Sequence, residues 1–199
     1  KYNLKIIEDA AEMHGQEYLG KKCGSFGDIS TLSFYPNKHI TTGEGGMVLT
    51  DNDELANKCR SLRNLCFIHE QRFLHYELGY NARMTNMQAA LGVAQLENIS
   101  KHLNIKRKVG QKYQKGLIQL TKFQLPLEKT VYAENIYWVF GLVAETQDLQ
   151  EKIVKYLLEN GIATRPFFRC MHEQPIIKKL GLFKNESYPN AEKIARNGF

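Results

Sequence analysis

The sequence has few cysteines and no pattern to them. Cys23, Cys59, Cys66 and Cys170 form no CxxC pair. Their irregular spacing suits reduced thiols in a cytosolic protein better than a disulfide framework or a zinc site, and the protein is expected to be cytoplasmic. Cys59 and Cys66 lie seven apart, a helical interval and nothing more. His69 and His75 stand near one another, but no HExxH or carboxylate pattern supports a metal, and none is expected. No apolar run approaches the ~20 residues of a membrane span, and no signal peptide is visible. Neither GxxxxGK[ST] nor GxGxxG occurs, so a plain NAD-binding domain has no support. The net charge of +6 and the pI of about 9.0 are compatible with an anionic ligand. The basic residues are scattered, without the interleaved aromatics that nucleic-acid binding would need. The densest basic group, KHLNIKRK at 101–108, lies in a helix-like stretch and reads as a solvated helix face.

What is present is an ordinary globular composition. At 43% hydrophobic, 199 residues have room for one core and a small second domain. The chain does not begin with Met, starts on a strand-like run and ends at IARNGF without a helix stop, so it is expected to be a segment of a longer protein. LKIIED (4–9) reads as a buried strand ending in two acids, its continuous apolar run suiting a parallel sheet covered on both faces. DISTLSFY (28–35) and GGMVLTD (45–51) are further strand candidates. The stretch 51–65 reads as a helix capped by Asp51, Asn52 or Asp53. TNMQ (85–88) has the form of a capping box, with Thr85 as N-cap, and opens one long helical pattern to about Leu120. Then the character changes. Residues 137–144 read as a strand, 148–161 as an amphipathic helix stopped by Gly161, and 162–168 as another strand. The switch at 121–136 is the expected domain boundary. It leaves residues 1–120 as the C-terminal part of a larger domain with its connecting helix, and 121–199 as a small α/β domain.

The chemistry is concentrated early. In open α/β sheets, ligands bind beyond the carboxyl ends of the strands. Asp9 stands at such an end; as a lone aspartate it would be a cap for the following turn. Ser33, five residues before Lys38, could bond a phosphate with its hydroxyl or simply satisfy local backbone. Lys38 follows Pro36 and Asn37, so it leaves the strand at a turn, and Gly43, Gly45 and Gly46 let backbone pass close to a bound group. GEGG alone is a weak phosphate signal. A carboxylate, a hydroxyl and a lysine at successive strand ends are, however, what pyridoxal 5′-phosphate (PLP) requires: a Schiff-base lysine and an acid for the pyridinium nitrogen.

IIEDAAEMHG, GSFGDISTLSFYPNKHITTGEGGMVLTD and GYNARMTNMQAALGVAQLE resemble, in order and at natural spacing over essentially the whole chain, the DegT/DnrJ/EryC1/StrS family of nucleotide-sugar aminotransferases. The resemblance implies an α/β, aspartate-aminotransferase-like (type I) PLP fold. EDAAE, NKHITTGEGGMV and TRPFFRCMHEQP look most like the subgroup that aminates C4 of GDP-4-keto-6-deoxymannose to GDP-perosamine. Relatives that aminate other nucleotide sugars at C3 or C4 have very similar motifs. By resemblance Lys38 is the Schiff-base lysine, Asp9 pairs with the pyridine nitrogen, and Ser33 bonds the phosphate. Glu12, where many relatives have Gln or His, lies near the ring and its 3-hydroxyl. Asn81 reaches the phosphate of the partner subunit's PLP, which implies a homodimer with shared active sites, and Arg83 lies beside that contact. Arg165 and His172 face the nucleotide sugar. Glutamate is the implied amino donor and polysaccharide biosynthesis the implied setting.

For this reaction Lys38 must be neutral to act as a base, although an unperturbed lysine titrates near ~10.4. A cationic cofactor and partial burial both favour the neutral amine. Two rivals keep the fold. In PLP- or pyridoxamine-phosphate-dependent sugar dehydratases a histidine replaces the lysine; His39 is adjacent, but the NK before TTGEGG favours Lys38. A non-catalytic regulatory paralogue would not need the intact set of Asp9, Ser33, Lys38 and Asn81.

Overall fold

The computed structural model describes residues 2–68, 70–71 and 73–199. The chain divides into two compact units. One comprises Lys1–Val109 with Glu128–Trp138, the other Gly110–Leu127 with Val139–Phe199.

In the first unit, strands β1 (Ile7–Asp9), β4 (Ile29–Ser33) and β5 (Gly46–Leu49) form a sheet in the order β1-β4-β5. β1 and β4 are parallel, with Asp9 opposite Thr31. β5 returns antiparallel, with Gly46 opposite Ser33. The all-parallel sheet expected from the apolar runs is therefore mixed. The reason lies in residues 34–45, which hold no helix to carry the chain over for a parallel return. β1 is also shorter than expected, and Leu4, Ile6 and Ile7 are 77%, 57% and 74% exposed, so the run is not covered on both faces. Between β1 and β4, β2 (Glu17–Tyr18) and β3 (Lys21–Lys22) make a hairpin. Its two-residue turn, Leu19-Gly20, has φ of 49° and 78°, the left-handed pair of a type I′ turn.

Glu8 locks the loop before β4. Its carboxylate accepts the N–H of Gly24 (2.7 Å) and Phe26 (2.8 Å) and the hydroxyl of Ser30 (3.0 Å). Gly27 sits in this loop, where a Cβ would lie 2.8 Å from the Ile29 carbonyl and 2.9 Å from that of Ile6. Backbone hems it on both sides, so no side-chain rotation relieves the clash. Gly27→Ala is expected to cost about 2–3 kcal/mol, read as a lower midpoint of urea unfolding with an unchanged slope.

Helix α1 (Asp53–Arg63) is capped by Asn52, whose side chain accepts the Leu55 N–H at 2.9 Å. Helix α2 (Asn86–Leu96) opens on the full capping box of Thr85 and Gln88. The single long helix expected to about Leu120 is two helices, α2 and α3 (Ile99–Leu117). Asn98 breaks it. Its side-chain amide donates to the Ala94 carbonyl at 3.0 Å, occupying the acceptor that its own N–H would use, and that N–H turns to the Gln95 carbonyl. No helix is long and apolar enough to cross a membrane, among the described residues.

In the second unit β6 (Phe123–Gln124) pairs antiparallel with β7 (Val143–Ala144). Helix α4 (Gln147–Glu159) is capped by Thr146. It ends where expected: Gly161, at φ 76°, donates to the Leu158 carbonyl and Ile162 to that of Leu157, the two bonds of a Schellman stop. A short 3₁₀ turn (Met171–Glu173), α5 (Pro175–Lys179) and α6 (Pro189–Asn197) follow. Two expected strands differ. Of 137–144 only Val143–Ala144 is a strand, because Tyr137 adopts a left-handed φ of 49° that interrupts the extended run. Residues 162–168 are no strand; Phe167 donates one bond to the Gly198 carbonyl, and its ring lies against Gly141 and Gly198, where a Cβ would sit within 2.4 Å of it.

Candidate active site

Parallel pairing puts the carboxyl ends of β1 and β4 side by side, and the antiparallel return brings the start of β5 to the same end. Asp9, Ser33, Gly45 and Gly46 therefore gather there. Asp9 Oδ1 accepts the Ala11 N–H at 3.0 Å, and Ser33 Oγ accepts the Tyr35 N–H at 3.3 Å. Both side chains thus shape the turns that follow them. Asp9 is exposed, so its second oxygen still faces out.

Residues 34–45 form a loop pinned at its base. The Thr42 N–H and the Thr41 hydroxyl both donate to the Phe34 carbonyl, at 3.0 and 2.7 Å, while Phe34 donates to the Gly45 carbonyl at 2.9 Å. The threonine pair closes the loop, and Gly43 and Gly45, at φ of 81° and 139°, let it turn back into β5. Gln95 of α2 clasps it from outside: its amide donates to the Thr41 carbonyl at 2.7 Å and accepts the Thr41 N–H at 3.1 Å. The loop that carries Lys38 is thus closed at its base on both sides of the lysine.

The Lys38 side chain is only 8% exposed. Its Nζ contacts Glu12 Oε1 and lies 4.6 Å from the centre of the Trp138 ring. Glu12 Oε2 is buried without a hydrogen-bond partner. Beside the lysine, His39 is buried, and its Nε2 lies 2.9 Å from the Ile136 carbonyl. A carbonyl only accepts, so Nε2 carries the proton and Nδ1 is the bare, unpartnered nitrogen. Burial pushes His39 below its ordinary range, against the opposing effect of that bond. His14, 5% exposed and stacked on Phe34, has no partner for either ring nitrogen. Burial, then the nearby His39 and Lys38, lower it from 6.5 to about 4.

This donor set fits PLP. A shielded primary amine stands at a strand end with a free carboxylate oxygen of Asp9 in the same quarter, and the orphaned Glu12 oxygen offers an unfilled acceptor beside the amine. Asn81 lies elsewhere in the first unit, bridged to Asn64 beyond the end of α1, with Arg83 two residues on; both are exposed. Arg165 and His172 belong to the second unit. Arg165 is exposed, and His172 contacts Glu192 (3.2 Å) and packs against Tyr188. Among the described residues no group of three His, Cys, Asp or Glu side chains is placed to hold a metal, and all four cysteines are free. His69 lies outside the described residues. A cavity of about 520 Å³ between the β2–β3 hairpin, α3 and residues 129–134 includes none of the site side chains.

The sequence profile of the DegT/DnrJ/EryC1/StrS aminotransferase family matches residues 1–199. The chain belongs to this family. Members of the DegT/DnrJ/EryC1/StrS family are PLP-dependent, and the mixed α/β fold is that of the PLP aminotransferases. The chain is 37% identical over 196 residues to the GDP-perosamine synthase of Escherichia coli O157:H7, covering 98% of this chain and 52% of that protein. It is 40% identical over 177 residues to the GDP-perosamine synthase of Caulobacter vibrioides, covering 88% and 48%. Among solved structures, DesV of S. venezuelae, in complex with a ketimine intermediate, superposes with a TM-score of 0.85 at 30% identity, over 99% of this chain and 52% of that one. The chain spans about half the length of the curated relatives it matches. Gln95, which clasps the loop, and Trp138, which covers Lys38, are residues that motif reading passed over. Each acts across more than fifty residues of sequence, and only the single occurrence of tryptophan marked Trp138 out.

Proposed function

We propose that the full-length protein is a PLP-dependent aminotransferase that moves the amino group of glutamate to a nucleotide-linked keto-deoxysugar, C4 of GDP-4-keto-6-deoxymannose giving GDP-perosamine. One observation carries this reading: the shielded Lys38 amine, paired with Glu12, on a pinned loop at the strand ends that bear Asp9 and Ser33. When bound, the cofactor supplies an electron sink for the carbon that loses its proton. Lys38 is the point of covalent attachment. Once displaced, its Nζ takes the proton from the α-carbon of glutamate in one half-reaction and returns a proton to the sugar carbon in the other. Asp9 holds the ring nitrogen protonated, Ser33 binds the phosphate, and Glu12 orients the amine. Asn81 and Arg83 complete the site of a partner subunit in a cytoplasmic homodimer, and Arg165 and His172 contact the nucleotide sugar. The product would enter polysaccharide biosynthesis.

Mass spectrometry of products from the full-length protein with glutamate and a panel of GDP-, UDP- and dTDP-linked keto-sugars tests the assignment. Transfer to the GDP sugar alone is the expected result; transfer only to another sugar keeps the chemistry and replaces the substrate. Asp9→Asn is nearly isosteric and keeps an acceptor for the Ala11 N–H. It is expected to leave unfolding unchanged and to lower kcat by about 10²–10⁴-fold. Near-normal turnover would reduce Asp9 to a turn cap.

A further inference from the structure

The proposed reaction leaves Lys38 unattached from its displacement by glutamate until the amino sugar departs, and a free lysine has four rotatable bonds with which to swing away. Three contacts oppose this. The indole N–H of Trp138 donates to the Asn37 carbonyl at 3.1 Å, so the ring is fastened to the backbone next to the lysine it covers. His39, the residue on the other side, holds the Ile136 carbonyl at 2.9 Å. Residues 37–39 and 136–138 therefore clasp each other in both directions. Within that clasp Nζ sits 4.6 Å from the indole centroid, and Glu12 meets it as well. An ammonium over an indole face is held by the ring quadrupole, and the attraction strengthens as water is removed. At 8% exposure, little water reaches this side chain.

We infer that Trp138 is a positioning residue that holds the Lys38 amine at the reaction centre whenever it is not attached to the cofactor. The inference rests on the function proposed above only for its purpose; the holding itself is a property of the cofactor-free protein. Glu12 gives the amine its counter-charge, and the indole gives it direction and cover. The indole lowers the reactivity of Nζ toward an added acylating reagent because it shields the amine.

The test is competitive acylation of the cofactor-free full-length protein with acetic anhydride, each lysine read by mass spectrometry. Lys38 is expected among the least modified lysines. Trp138→Leu is expected to raise its modification about tenfold relative to surface lysines, and Trp138→Phe, which keeps a ring face, by no more than about threefold. Trp138→Met replaces the leucine variant if that does not fold. In the holoenzyme, the glutamate half-reaction of Trp138→Leu should slow with an unchanged KM. Its deuterium isotope effect with 2-deuterated glutamate should rise, as proton transfer by a loosened lysine becomes limiting. A purely structural role would instead lower the unfolding midpoint of both variants alike and leave the isotope effect where it was. A folded variant without the ring whose Lys38 is acylated within twofold of the parent overturns the inference. Failure of borohydride to trap cofactor on Lys38 in the parent would overturn the aminotransferase reading instead, and leaves the acylation result standing by itself.

Discussion

Replacing Lys38 by alanine in the full-length protein is expected to abolish cofactor attachment and to lower turnover roughly ten-thousandfold or more, because one amine serves as both anchor and proton carrier. The visible absorbance of the lysine-bound cofactor should vanish, and borohydride should trap nothing on the peptide that carries position 38. A variant that keeps both the absorbance and turnover would sink the assignment. The substitution also strands Glu12. Its Oε1 loses the ammonium it contacts, while Oε2 is already buried without a partner. The Glu12 side chain is 28% exposed, so water softens the loss. A cost of about 1–3 kcal/mol is expected, below that of breaking a fully buried pair. Adding Glu12→Gln removes the stranded charge and should recover most of that stability without recovering activity. The double variant thus separates the chemical role of Lys38 from its part in the fold.

What could be read in the sequence was local. Thr85 and Gln88 lie three apart and cap α2 reciprocally, Asn52 caps α1, and Gly161 stops α4. Each signal needs only neighbours in the chain, because the bonds that make a cap or a stop close within six residues. The misses also have local causes, but weaker ones. Asn98 breaks a helix through a bond to Ala94 that competes narrowly with the regular pattern. Tyr137 takes a left-handed φ that nothing about an aromatic residue suggests. At the site, Asp9, Ser33 and Lys38 stood out because strand ends and turns have sequence signatures. Gln95 reaches Thr41 over 54 positions and Trp138 reaches Asn37 over 101. Contacts of that separation leave no periodicity; they exist only once the fold has brought the segments together.

Acid should destabilise the fold through His14. The imidazole is stacked on Phe34 at 5.5 Å with neither nitrogen paired, and its folded pKa is lowered to about 4 by burial, His39 and Lys38. In the unfolded chain it titrates near 6.5. Between these values the unfolded state binds a proton that the folded state refuses. Stability therefore falls as pH drops from 6.5 toward 4, and this contribution levels off below. The gap corresponds to about 3 kcal/mol. Glu8 acts in a lower window. Burial raises it, but the N–H groups of Gly24 and Phe26 and the Ser30 hydroxyl outweigh that and hold it below 4.5. Its stabilisation is complete above that value and is lost as pH falls through the folded one. His14→Phe separates the two. Phenylalanine preserves a ring against Phe34 and removes two unpaired polar atoms, so the variant should be at least as stable as the parent at pH 7. Its urea midpoint should decline less steeply than the parent's between pH 6.5 and 5, the remaining decline resting on His39, which burial also lowers. If the variant declines with the parent's slope, the charge that opposes folding in that range is not on His14.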